Sequence, residues 1–249
     1  MSFLSDVVTW FNDPAHWRGH TGIPNRLLEH VQYSLAAIIA AIVLAVPVAV
    51  WLGHKRRFGT VAVNVSNIGR AIPSFAILVL GTQQFGLLEL PLIGSFTTFV
   101  ALVALAVPPL VTNAYVAVAE VPDEVRDSAR GMGMNEAEVL LKAELPMAVP
   151  LLMAGVRTAS VQVVATATIA AFVGAGGLGR YIIDGRAIFD NTQIFAGATL
   201  VALLSLATEI ALGGAQRALT PRGMRAGVIS ARAAAVAATT TTHQGKALV

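Results

Sequence analysis

Two sets of residues in this chain have the types and spacing to do chemistry. Gly174-Ala-Gly176-Gly-Leu-Gly179 has the G-x-G-x-x-G spacing that cradles a dinucleotide pyrophosphate when a strand precedes it and a helix follows. Here an apolar, helix-length run precedes it, and no βαβ unit can be assembled around it. Dinucleotide chemistry is therefore excluded. Two readings remain: a flexible loop closing a span, or irregular backbone lining a cavity or gate, which glycine permits and lipid exposure would not. The second is favoured, with Gly174, Gly176 and Gly177 as its residues. Arg70, Arg157 and Glu209 form the other set, ionisable groups within or beside apolar runs. Such groups face a partner or a wet cavity. An Arg157–Glu209 ion pair between neighbouring spans is one expectation, and Arg157 snorkelling to the interface is the other. Arg70 reads as a gate or packing residue.

Other chemistry is missing from the sequence. No G-x-x-x-x-G-K-[ST] motif occurs, and Gly245-Lys246 is followed by alanine. The chain therefore lacks the P-loop means of binding ATP. No His/Asp/Glu cluster has metal spacing, no Ser/His/Asp set has an aqueous location, and there is no cysteine. No catalytic residue is assigned, and the reading is a non-enzyme.

The elements that must position these residues are apolar. Of 249 residues 55% are hydrophobic and 12% charged, and the mean hydropathy is +0.70. These values belong to an all-α integral membrane protein. Five spans are expected: 31–53, about 61–88, 94–119, 147–173 and 194–212. Pro47, Pro73 and the Pro108-Pro109 pair interrupt three of them, with Pro108-Pro109 breaking the third. Kinks of this kind suit a pathway that opens, and simple packing explains them equally well. Lys55, Arg56, Arg57, Arg126, Arg130, Lys142, Arg217, Arg222, Arg225, Arg232 and Lys246 fall on one side. Only Arg18, Arg26, Arg180 and Arg186 fall on the other. The positive-inside rule then puts the first side in the cytoplasm and the N-terminus outside. The same rule accounts for the net charge of +3 without nucleic acid. Met1-Ser-Phe-Leu-Ser-Asp6 lacks the basic start of a cleaved signal peptide. Residues 1–30 form an external segment, either amphipathic and resting on the membrane or an ordinary tail. Residues 31–220 form the transmembrane domain, and 221–249 a low-complexity cytoplasmic tail.

Between the third and fourth spans lies a charged island, residues 120–146. Pro122 is placed where a first turn tolerates proline, Asp123 and Glu124 follow, and Arg126 and Arg130 come later, along the helix dipole. Gly131 and Gly133 can end this helix by taking positive φ. Asn135 then caps a second helix, with Glu138 as its capping-box partner. Leu145-Pro146 is expected to end it, because proline pushes the preceding residue out of the α region. Two short helices at a glycine turn make a polar knob on the cytoplasmic surface, and a knob of this kind requires a partner.

The island resembles the EAA loop of bacterial ABC importer permeases: Glu-Ala-Ala, three residues, Gly, nine residues, Ile, one residue, Leu-Pro. Asp127-Ser128-Ala129 takes the Glu-Ala-Ala place, Gly133 the glycine, Ala143 the isoleucine, and Leu145-Pro146 closes the pattern. Asp for Glu, Ser for Ala and Ala for Ile are departures with the spacing intact. The stretches Arg70-Ala-Ile-Pro-Ser74, Glu144-Leu-Pro146, Ala154-Gly-Val-Arg157, Phe172 to Gly179 and Leu27-Leu-Glu-His30 look like the osmoprotectant branch of that family. The likeness covers about residues 10–220.

The resemblance implies a type I permease subunit paired with a second one, identical or paralogous. An external binding protein would deliver glycine betaine, choline, carnitine or proline betaine. A cytoplasmic ATPase dimer, holding the ATP and magnesium, would dock on the knob through Asp127, Ser128, Ala129, Gly133, Leu145 and Pro146. Methionine, phosphonate and amino-acid importers share the loop and remain alternatives. So do a self-contained secondary transporter and a membrane scaffold whose knob recruits another protein. Tyr33, Tyr115 and Tyr181 are too scattered to identify an aromatic cage for a quaternary amine.

Overall fold

The computed structural model describes residues 3–57, 59, 64, 74–85, 89–90 and 94–221. Within them the chain is almost wholly helical. Helix α1 (Phe3–Asn12) and a 3-10 turn (Pro14–Trp17) lead into α2 (Ile23–Lys55). Next come α3 (Ser74–Phe85) and two short antiparallel strands, β1 (Glu89–Leu90) and β2 (Gly94–Ser95), paired Glu89 to Ser95. Helix α4 (Phe96–Ala119) is followed by α5 (Asp123–Gly131), the single turn α6 (Glu136–Glu138) and a π turn (Val139–Glu144). Helices α7 (Leu145–Ala170), α8 (Gly179–Ala187) and α9 (Asn191–Leu219) complete the chain.

Among the described residues, four helical stretches are long and apolar enough to cross a membrane: α2, α4, Glu136–Val173 and α9. The expected second span is described only at residue 64 and over α3, and Arg70 and Pro73 lie outside the described residues. The expected tail beyond residue 221 lies outside them too.

Helices α2, α4 and α7 meet along a seam of small and branched side chains. Ala37, Ala41 and Ala45 recur every four residues on α2 and face Leu102, Ala106 and Leu110 of α4 and Ala159 and Val163 of α7. Alanine at that period lets backbones approach closely, so dispersion contacts and helix packing replace the hydrophobic effect that lipid cannot supply. The opposite stripe of α2, including Leu35, Ile39, Leu44, Val48 and Trp51, is exposed, as suits a lipid-facing surface.

Three local expectations change. Pro108 and Pro109 do not break α4, which runs unbroken through both. Both are buried in the α2–α4–α7 contact, and the Asn113 amide donates to the Pro109 carbonyl at 2.7 Å; tertiary packing overrides the local preference. Leu145-Pro146 does not end the knob's second helix either. Leu145 keeps helical dihedrals (φ −58, ψ −45). The π turn before it absorbs an extra residue and places Pro146 in the first turn of α7, where a missing N–H is tolerated. Finally, Gly133 has φ +86 and Gly131 does not take positive φ, so one glycine makes the turn that two were expected to share.

The N-terminal segment is docked. Trp10 stacks on His16, with centroids 3.9 Å apart, and meets Tyr181 edge-on. Together with Ile23, Leu178 and Ala196 it forms a small core over the start of α9.

Candidate functional site

The described elements gather the candidate residues at two ends of one bundle. At the knob end, α5 starts behind Pro122 as N-cap. Asn135 and Glu138 form the expected capping box, with Asn135 Oδ1 accepting from the Glu138 N–H at 3.0 Å and Glu138 Oε2 accepting from the Asn135 N–H at 3.1 Å. Asp127, Ser128 and Gly133 are exposed, whereas Ala129 is buried against the bundle and Leu145 and Pro146 are half-buried. The six candidate docking residues therefore divide into an outer edge and an inner support.

Two arginines bolt the knob to the ends of the long helices. Arg56 closes α2 in a left-handed conformation. Its guanidinium pairs with Asp123 at 2.7 Å and donates to the carbonyls of Val121 and Ala119. Arg126 is only 3% exposed and donates to the Val118 carbonyl at 2.7 Å. Its Nε lies 3.1 Å from Glu144 Oε1, at an angle too poor for a hydrogen bond, so this contact is one of charge. Burial pulls the Arg126 pKa below the ordinary arginine value, and Glu144 opposes the pull.

Glu144 is completely buried. Its Oε2 is 2.8 Å from His54 Nδ1, and His54 Nε2 is 3.2 Å from Glu136. Glu136 in turn pairs with Arg130, which reaches Asp127 at 3.4 Å. A single string of polar side chains thus runs from the buried Arg126 through Glu144, His54, Glu136 and Arg130 to the outer-edge Asp127. It connects the ends of α2 and α5 with the π turn. His54 and Glu144 were not candidates from the sequence. The available signal was a glutamate immediately before Leu145-Pro146, at a position the loop pattern leaves free.

The exposed carboxylates of the knob are held in their charged form. The hydrogen bond from Arg130 lowers the Glu136 pKa below 4.5, and the hydrogen bond from Lys142 does the same for Glu138. A depressed carboxylate pKa stabilises the fold above the unfolded value, and that contribution disappears as pH falls through the folded value. These pairs should therefore persist at neutral pH and fail only in acid. Carbon-13 titration of the two side chains is expected to give midpoints below 4.5; a midpoint above it for either would contradict the pairing.

At the other end, Gly174 and Gly177 take φ +88 and +86, conformations that glycine alone adopts without strain. Helix α7 and a 3-10 turn precede this loop, so no strand feeds it. The loop is pinned to the start of α2. The Gly177 N–H donates to Glu29 Oε2 at 2.8 Å, and the same carboxylate oxygen pairs with Arg26 at 2.8 Å. The Leu178 N–H points at His30 Nδ1 at 3.3 Å, and His30 Nε2 lies 2.9 Å from the Val164 carbonyl. This pattern requires the proton on Nε2. The Tyr181 hydroxyl donates to the Thr21 carbonyl at 2.6 Å. Glu29 and His30 are the residues that sequence reasoning did not connect to the loop. Between the two ends, Arg157 Nε lies 3.3 Å from Glu209 Oε1, the paired alternative of the two considered.

Comparison with known proteins places these features. Residues 31–225 match the family described as "Binding-protein-dependent transport system inner membrane component". The chain is 36% identical over 197 residues to the choline transport system permease protein OpuBB of Bacillus subtilis (strain 168), covering 79% of this chain and 88% of that one. It is 32% identical over 222 residues to the carnitine transport permease protein OpuCB of Listeria monocytogenes, covering 89% and 97%. Among solved structures, inward-facing MetNI methionine ABC transporter matches with TM-score 0.67 and 25% identity, over 78% of this chain and 94% of that one. The polar knob and the pinned glycine loop are thus the two ends of a multi-pass membrane permease, and the chain belongs to the binding-protein-dependent transport system inner membrane component family.

Proposed function

We propose that the chain is the membrane-spanning subunit of an ATP-driven importer for osmoprotectants: glycine betaine, choline, carnitine or proline betaine. The carrying observation is the knob. Its outer edge exposes Asp127, Ser128 and Gly133 at the loop spacing, while its inner side is locked to the bundle. An exposed, rigid and polar projection suits docking into a soluble ATPase. The names of relatives that transport choline and carnitine support the substrate class.

In this reading a second permease subunit completes the pathway, an external binding protein delivers the cargo, and an ATPase dimer binds ATP and magnesium. The knob and C-terminus face the cytoplasm of a bacterial cell and the N-terminus faces outside. The basic residues at the knob end support that orientation. ATP-driven closure of the ATPase pair moves the knobs and shifts the bundle between inward- and outward-facing states. Gly174, Gly176, Gly177, Arg157 and Glu209 are candidate gate or pathway residues in that movement.

Gly133→Val tests the docking. A Cβ at this position meets nothing within 4 Å, so the local cost is the positive φ alone, about 1–2 kcal/mol. Membrane insertion should be normal. In proteoliposomes containing the complete importer, ATP-coupled uptake of labelled glycine betaine, choline and carnitine should fall more than about tenfold, a loss of at least about 1.4 kcal/mol in coupling. Unchanged uptake would refute the docking assignment, and uptake of methionine alone would redirect the substrate.

A further inference from the structure

Beside the knob, at the end of α2, a cavity of about 520 Å³ with charged and apolar walls opens between Trp51, Leu52, His54, Lys55, Arg57, Arg130 and Glu136. Its charges are unbalanced. Glu136 is engaged by Arg130 and His54. The side chains of Lys55 and Arg57 are exposed and make no hydrogen bond or close ion pair among the described residues. Lys55 reaches Glu136 only through its long-range field, and Arg57 has no acidic partner within ion-pair distance among the described residues at the point where the span ends. Trp51 is 57% exposed one turn below, and tryptophan at a helix end marks the level of lipid headgroups. The exposed stripe of α2 continues below it through Val48 and Leu44.

A phosphodiester at Lys55 and Arg57 with acyl chains along that stripe would satisfy both the charge and the apolar surface. A free anion would use only the first, and a soluble protein has no access to the second. We propose that this cavity is a binding site for the headgroup of an anionic diacyl phospholipid. The inference requires only that α2 spans the membrane, so it stands or falls independently of the transported substrate.

Trp51 is the reporter. The full chain is reconstituted in vesicles of phosphatidylcholine containing a minor fraction of phosphatidylglycerol, with one lipid or the other brominated on its acyl chains. The quenching difference between the wild type and W51F isolates Trp51. Neighbouring basic side chains each contribute roughly fivefold to anionic-lipid binding near the surface. Brominated phosphatidylglycerol should therefore be favoured at Trp51 by about fivefold or more, and the preference should fall towards one in K55Q/R57Q.

Both substitutions are on exposed residues, so folding is spared, and unchanged quenching of Trp10 and Trp17 checks it. Equal quenching by the two lipids in the wild type overturns the proposal, as does a preference that survives K55Q/R57Q. Loss of the preference in millimolar inorganic phosphate would assign the site to a soluble anion instead. Loss on adding the ATPase subunits would assign it to that protein. Either result rejects the lipid site, whereas persistence through both additions supports it.

Discussion

Glu144→Ala is expected to cost the folded chain about 3 kcal/mol, because it removes the largest opposing charge from the buried Arg126 guanidinium and leaves only the weaker field of Asp123. Glu144 has no exposed surface and Arg126 only 3%, so bulk solvent does not screen the charge that is left. The same substitution removes the acceptor of His54 Nδ1. It therefore cuts the string of polar side chains between the bundle and the outer edge of the knob. Thermal unfolding of the purified protein should show the instability directly.

Uptake separates support from coupling. Replacing Arg126 and Glu144 together by Met and Leu fills the site with apolar volume. Such replacements of buried ion pairs are often neutral or stabilising. If the pair matters only for stability, the double variant recovers both its thermal midpoint and its transport. If the string also fixes the attitude of the knob towards its ATPase, stability returns and ATP-coupled uptake stays depressed. The second outcome is the expected one, since Arg126 also anchors the Val118 carbonyl.

The other large effect belongs to the glycine loop. At Gly176 a Cβ would collide with Glu29 Oε2, the oxygen that receives the Gly177 N–H and Arg26. Gly176→Val should push the Glu29 carboxylate off the Gly177 N–H, a loss of about 1 kcal/mol, and free the loop from α2. Uptake should fall with it. Glu29→Ala in the same chain removes the obstacle, so the double variant should be less unstable than the sum of the two single effects. Additive losses would show that the glycine is needed for another reason.

Much of this architecture could be read along the chain, because the causes are local. Apolar runs of span length, the Asn135–Glu138 capping box and the glycine turn each depend on a few neighbouring residues. What could not be read depends on distant ones. His54 and Glu144 are 90 positions apart, and Glu29 and Gly177 are 148 apart; no spacing rule links them. The three prolines whose effect differs from expectation share one origin. Pro108-Pro109 and Pro146 are local helix breakers whose effect is cancelled by burial in one case and by a π turn in the other. Asp127 and Gly133 were visible as a motif, yet the acid that secures the motif from below was visible only in three dimensions.

The π turn carries a mechanical consequence. Because Pro146 is absorbed and the helix continues, the chain from Glu136 to Val173 is one stretch of 38 residues, with the knob at its head and the glycine loop at its foot. Its α7 portion alone is 26 residues long, about 39 Å at 1.5 Å per residue. A tilt of about 5° at the knob then swings Ala170 by roughly 3 Å, the width of a water molecule. Motion can cross the membrane as the rotation of one continuous helix, with Pro150 as its internal site of a missing backbone donor.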